Sequence, residues 1–79
     1  MGSKRFAGIR FQSHANDHLP IHVHAYFGRA GAAGVKLELR NGCFVVTKVI
    51  GVTRAEIRRA FEVANQHKDE LIALFQESH

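Results

Sequence analysis

Six histidines stand in a chain of 79 residues, at positions 14, 18, 22, 24, 67 and 79, and four of them fall between His14 and His24. His22 and His24 are two apart. On a strand such residues point the same way with Cα atoms roughly 6.5–7 Å apart, close enough for both imidazoles to reach one metal ion. Asp17 and His18, just before them, supply a third and fourth ligand in this reading, with His14 a further candidate. A nitrogen and oxygen donor set without thiolate suits a divalent metal such as Zn, Mn or Fe. The same residues fit two other chemistries. Flanked by Arg10, Asn16, Tyr26 and Arg29, the imidazoles form a cationic, partly aromatic patch of the kind that holds nucleic-acid phosphates and bases. Alternatively His18, His22 and His24 act as acid and base in metal-independent RNA cleavage, one imidazole taking the 2′-OH proton and another protonating the leaving oxygen. The plainest reading has Asn16, Asp17 and His18 building a hydrogen-bonded turn before Pro20, with His22 and His24 lining the polar face of a strand.

The bulk composition narrows the setting. Eleven Lys and Arg against seven Asp and Glu leave a net charge of +4, which favours nucleic acid, an acidic protein or an anionic ligand as partner. The lone Cys43 cannot close an intrachain disulfide, so a cytoplasmic location is expected. No apolar run approaches the roughly 20 residues of a membrane span, and no membrane association is expected. The length allows one domain over residues 1–79, with 1–6 expected as a flexible N-terminus.

The elements that must position the histidines follow from periodicity. Ile9, Phe11 and Ser13 alternate with Arg10, Gln12 and His14, the pattern of a strand with one buried face. After the turn-forming stretch to Pro20, Ile21, Val23, Ala25 and Phe27 take one face and His22, His24 and Tyr26 the other. A glycine-rich stretch, Gly28 to Gly34, follows; without GK[ST] or a helix start it is not a phosphate loop. Val35, Leu37 and Leu39 then lead into Asn41-Gly42, a type I′ turn signal that pairs Arg40 with Cys43, Leu39 with Phe44 and Leu37 with Val46. Thr53 and Glu56 form a capping box, with Val52 and Ile57 placed for a hydrophobic staple. From there Ile57, Ala60, Phe61, Ala64, Leu71, Leu74 and Phe75 make an apolar stripe with His67 in its gap. Either His67 is an embedded polar group or the chain bends near Asn65-Gln66 and restarts at Lys68; the expectation is one helix, Arg54 to Gln76. Arg54, Arg58 and Arg59 oppose the helix dipole and are candidates to serve an external anion, although Arg58 and Glu62 stand at pairing distance i, i+4. The fold expected is α+β: a small, mainly antiparallel sheet of three to four strands with one long C-terminal helix packed on one face. An unprotected sheet edge then implies a homodimer or a small partner protein.

Gly8-Ile9-Arg10-Phe11, then Asn16-Asp17-His18-x-Pro20-x-His22-x-His24, a short hairpin, and a helix carrying Arg58-Arg59 and a His67-x-x-Glu70-Leu71 run resemble one small bacterial family, the domain of unknown function 4160. The resemblance spans Gly8 to Phe75. Members commonly read Pro-Pro where this chain has Pro20-Ile21. It implies that Asn16, Asp17, His18, His22, His24 and His67 are signature positions. It also implies a two-gene neighbourhood, often with a small protein of the domain of unknown function 2442 type, resembling a toxin-antitoxin module.

Overall fold

The computed structural model describes residues 2–13, 20–28 and 33–77. Strands β1 (Gly2–Phe6), β2 (Ile9–Ser13), β3 (His22–Tyr26), β4 (Gly34–Arg40) and β5 (Cys43–Ile50) precede helices α1 (Arg54–Gln66) and α2 (Lys68–Glu77). The strands pair in chain order, each antiparallel to the next, to form one meander. Alternation then sorts the two faces. Ile9, Phe11, Val23, Ala25, Val35, Leu37 and Phe44 are buried on one face against Ala60, Val63, Ala64, Leu71 and Leu74 of the helices. Each larger side chain among them contributes roughly 1.5–3 kcal/mol by leaving water.

The α+β class stands, but the sheet has five strands where three to four were expected. The added strand is β1, in a segment expected to be a flexible lead-in. It pairs with β2 from Gly2 opposite Ser13 to Phe6 opposite Ile9, closed by the two-residue turn Ala7-Gly8. Both turn residues have positive φ, 52° and 78°, as in the Asn41-Gly42 turn at 53° and 81°. Alanine carries no turn signal and is strained there, which is why this hairpin escapes a reading of the sequence. Arg59 holds the turn from α1, donating to the Ala7 carbonyl oxygen, so this arginine is engaged within the fold.

The β4–β5 hairpin has the expected register, with one irregularity that matters. Leu37 pairs with Val46 but Lys36 pairs with Lys48, leaving Thr47 as an extra residue in β5. Such a bulge inverts the parity of everything beyond it. Lys48, which plain alternation would set beside Phe44 and Val46 on the core face, moves to the opposite face with Lys36.

The single long helix is also corrected. At 1.5 Å per residue it would run roughly 35 Å, whereas the longest extent of the molecule is 29 Å. The chain instead bends at His67, whose φ of −111° and ψ of 31° depart from helical values. Hydrogen bonds from His67 N to the Val63 oxygen and from Leu71 N to the His67 oxygen, each 3.0 Å, carry the ladder across the bend. The His67 ring stacks on Phe6 of β1 at 4.0 Å, and its Nδ1 lies 3.0 Å from Glu70 Oε1. Thus α1 lies over β4 and β5 and α2 over β1 to β3, so the bend lets one helical segment cover the whole width of the sheet. The capping box at the start of α1 forms as expected, Glu56 N donating to Thr53 Oγ1 at 3.1 Å and Thr53 N to Glu56 Oε1 at 2.9 Å.

A side-chain amide fastens α1 to the sheet. Asn65 Oδ1 accepts from Phe44 N at 2.9 Å, and Asn65 Nδ2 donates to the oxygens of Phe44 and Phe61 at 3.0 Å each. Asn65 therefore occupies the place a sixth strand would take beside Phe44. Asn65→Ala leaves the part-buried Phe44 amide unpaired, and the expected cost is about 2 kcal/mol. Urea unfolding should show this as a lower midpoint at unchanged m value.

Candidate functional site

The face of the sheet opposite the helices carries the chemistry. Register aligns Arg5, Arg10, Tyr26, Gly34 and Ile50 in one row and Ser3, Gln12, His24, Lys36 and Lys48 in the next. A third row joins His22, Glu38 and Val45. Along β3 the side chains form a file of rings. Tyr26 and His24 stack with centroids 6.2 Å apart and planes at 16°; His24 meets His22 edge-on at 5.7 Å; and His22 reaches Phe75 of α2, also at 5.7 Å. The Arg10 guanidinium caps the other end, 5.1 Å from the Tyr26 ring centroid. His22 Nδ1 lies 3.0 Å from the Pro20 carbonyl oxygen, a pure acceptor, so Nδ1 carries the hydrogen.

Beside this file lies a recess of about 250 Å³ lined by His24, Tyr26, Gly34, Val35, Lys36, Lys48 and Ile50. Gly34 makes it. A Cβ there would collide with the Ala25 carbonyl oxygen and come within 3.3 Å of Tyr26 Cδ1. With no side chain opposite it, the Tyr26 ring has space over the neighbouring strand. The recess is smaller than the roughly 300–1,000 Å³ of most small-molecule pockets, a size suited to one planar part of a larger ligand.

Charge is segregated between the two layers. The five strands contain six Lys and Arg and a single carboxylate, Glu38, whereas the helices hold four Lys and Arg against five Asp and Glu. Glu38 is itself engaged, 2.9 Å from Arg40 Nη2 and 3.7 Å from Lys36 Nζ. The Arg40 hydrogen bond, foremost, and the charges of Arg40 and Lys36 hold its carboxyl below the ordinary value of 4.5, against a smaller opposing effect of burial. Among the described residues, Arg5, Arg10 and Lys48 have no carboxylate partner.

Of the residues singled out by sequence, Arg10, His22, His24 and Tyr26 come together on this face. Asn16, Asp17, His18 and Arg29, with His14, lie outside the described residues. Among the described residues, no three His, Cys, Asp or Glu side chains converge as metal ligands. Cys43 is exposed next to the hairpin turn. His67 is a packing residue at the helix bend, stacked on Phe6. The reading of the sequence missed Arg5, Gln12, Gly34, Lys36 and Lys48. The alternation of Lys36, Glu38 and Arg40 signalled a polar face, but only the strand order sets it beside the histidines.

An antiparallel meander with helices on one face and a basic, ring-bearing surface on the other defines the class: a small α+β domain in which, among the described residues, no helix covers the second sheet face. The chain belongs to the family described as Domain of unknown function (DUF4160), whose model matches residues 8–76. Strand β1 precedes the matched region. No curated protein and no solved structure matches the chain. No helix is long and apolar enough to cross a membrane.

The Glu38 contacts give a direct test. Because the folded-state pKa is depressed, the stability this carboxylate contributes is present above about 4.5 and is lost as pH falls through the folded value. A carbon-detected NMR titration of the Glu38 carboxyl should find its midpoint below 4.5, and Arg40→Ala should move it up towards that value.

Proposed function

We propose that this domain binds single-stranded nucleic acid across the open sheet face, with bases stacked on Tyr26 and His24 and phosphates met by Arg5, Arg10, Lys36 and Lys48. The observation that carries this reading is the file of rings on β3 bordered by cations on β2, β4 and β5. A broad sheet face does not enter a duplex groove as a helix does, whereas bases of an unpaired strand can splay onto exposed rings. Base stacking on an aromatic ring contributes roughly 1–3 kcal/mol and tolerates any sequence. In a two-gene, toxin-antitoxin-type setting such a surface would serve to hold the nucleic-acid target.

Fluorescence anisotropy with labelled RNA and DNA oligonucleotides of about ten nucleotides tests it. Four phosphate contacts on a single strand predict a slope of about −3 in log K against log salt concentration. Tyr26→Ala should weaken binding by about tenfold, and Lys48→Ala should flatten the slope by about 0.7. Absence of binding, or binding indifferent to salt, rejects the reading.

A second reading, RNA cleavage, is favoured by one distance, the 5.7 Å between the His22 and His24 rings. The two rings touch edge-on, so one phosphodiester would lie across the outer edges of both rather than between them. The 2′-oxygen would attack phosphorus as one imidazole takes its proton; the bond to the 5′-oxygen breaks, and the other ring, entering protonated, gives that oxygen its proton. The products are a 2′,3′-cyclic phosphate and a 5′-hydroxyl end. RNA cut with these ends by the native chain, and left intact by His22→Ala and His24→Ala, is the expected result; intact RNA, with the DNA analogue equally intact, leaves binding alone.

A further inference from the structure

The described residues with large exposed apolar side chains are Val49, Ile50 and Phe61, and all three lie on β5 or on α1 above it. This is also where the sheet ends, because among the described residues β5 has β4 on one side and no strand on the other. At Phe44 the outward N–H and C=O are taken by Asn65. By the alternation of an antiparallel ladder, Val46 is the next residue to turn its backbone outward. Outside the strand ladder, no backbone hydrogen bond of Val46 is found among the described residues.

Alongside Val46 runs a groove of about 340 Å³ lined by Val46, Ile57 and Phe61, with Arg54 and Arg58 also along it. Neither arginine has an ion-pair partner among the described residues, so the Arg58–Glu62 pair that the spacing allows does not form. Of the nearby carboxylates, Glu56 is held in the capping box. An apolar floor, two unpaired guanidinium groups and a strand edge with outward backbone groups coincide on this side of the fold.

We infer that the β5 edge and this groove dock an acidic, extended protein segment, which adds as a sixth strand from Val46 onward and sets an apolar side chain between Arg54 and Arg58. Strand addition supplies backbone hydrogen bonds, and the groove selects the side chain. Charge decides against a second copy of this chain as occupant. A two-fold pairing of β5 with β5 would bring Lys48 and the rim arginines of both copies together, and like charges facing one another across strands are destabilising. The inference stands on a different observation from the nucleic-acid reading, since the groove is lined by Val46, Arg54, Ile57, Arg58 and Phe61, none of which belongs to the ring-bearing face, although both readings meet β5 at Lys48.

The experiment uses a fluorescein-labelled eight-residue peptide of alternating Glu and Leu, matching the length of β5, and the same peptide with Lys in place of Glu. The acidic peptide should bind the intact chain at least tenfold more tightly than the basic one, and shift amide resonances between Val45 and Ile50. An Arg54→Glu/Arg58→Glu variant should lose at least tenfold in affinity for it, and Phe61→Ser should weaken it as well. Circular dichroism of both variants identifies any loss of fold, and Phe61→Ser leaves every charge in place. Equal binding of the two peptides, no binding, amide shifts confined to Arg10, His24 and Tyr26, or self-association of the chain through β5 would each overturn the inference.

Discussion

The helical part of this chain reaches across one face of a five-stranded sheet only because it bends, and nearly every other feature depends on that coverage. A straight helix would have protected a strip of the sheet and run past its end. The bend at His67, set by its stack on Phe6, turns α2 over β1 to β3 while Asn65 keeps α1 on β5. Seven apolar strand residues are buried as a result. Nothing remains in the two helices to cover the second face, so among the described residues the side chains at alternate positions there stand together, partly exposed.

The displayed surface is shaped by two local departures from regular geometry. The extra residue Thr47 moves Lys48 across the sheet to stand beside Lys36. The missing side chain at Gly34 opens the recess next to Tyr26. Together they set cations beside a line of rings and leave a recess of about 250 Å³ between them. The net charge of +4 understates this arrangement, because the helices carry a slight excess of acid and the sheet carries the positive charge.

The elements that could be read from the sequence were those with redundant signals. Alternation, the Asn41-Gly42 turn and facing apolar pairs all agree on the β4–β5 hairpin, and the Thr53 and Glu56 pair marks the helix start. Strand β1 escaped because Gly2–Phe6 has no alternation of apolar residues and turns through an alanine at positive φ. The helix bend was legible as a polar gap at His67, but its resolution required knowing that Phe6 lay beneath it. At the site, the parity of His22, His24 and Tyr26 was enough to group them with Arg10. Lys48 could not have joined them by alternation, since an unbulged β5 assigns it to the core face. Family membership agrees with the motif-based resemblance over residues 8–76 and names no chemistry.

The fold thus presents two unlike surfaces. The sheet face away from the helices carries rings and cations, which we propose meet unpaired bases and their phosphates; the β5 edge offers an apolar groove with backbone groups turned outward. The most direct measurement is an amide chemical-shift map of the intact chain titrated with a single-stranded oligonucleotide of about ten nucleotides. The account predicts shifts concentrated at Arg10, Gln12, His22, His24, Tyr26, Lys36 and Lys48, with the amides of α1 unmoved. A map centred on Arg54, Ile57, Arg58 and Phe61, or no shifts at all, would contradict it.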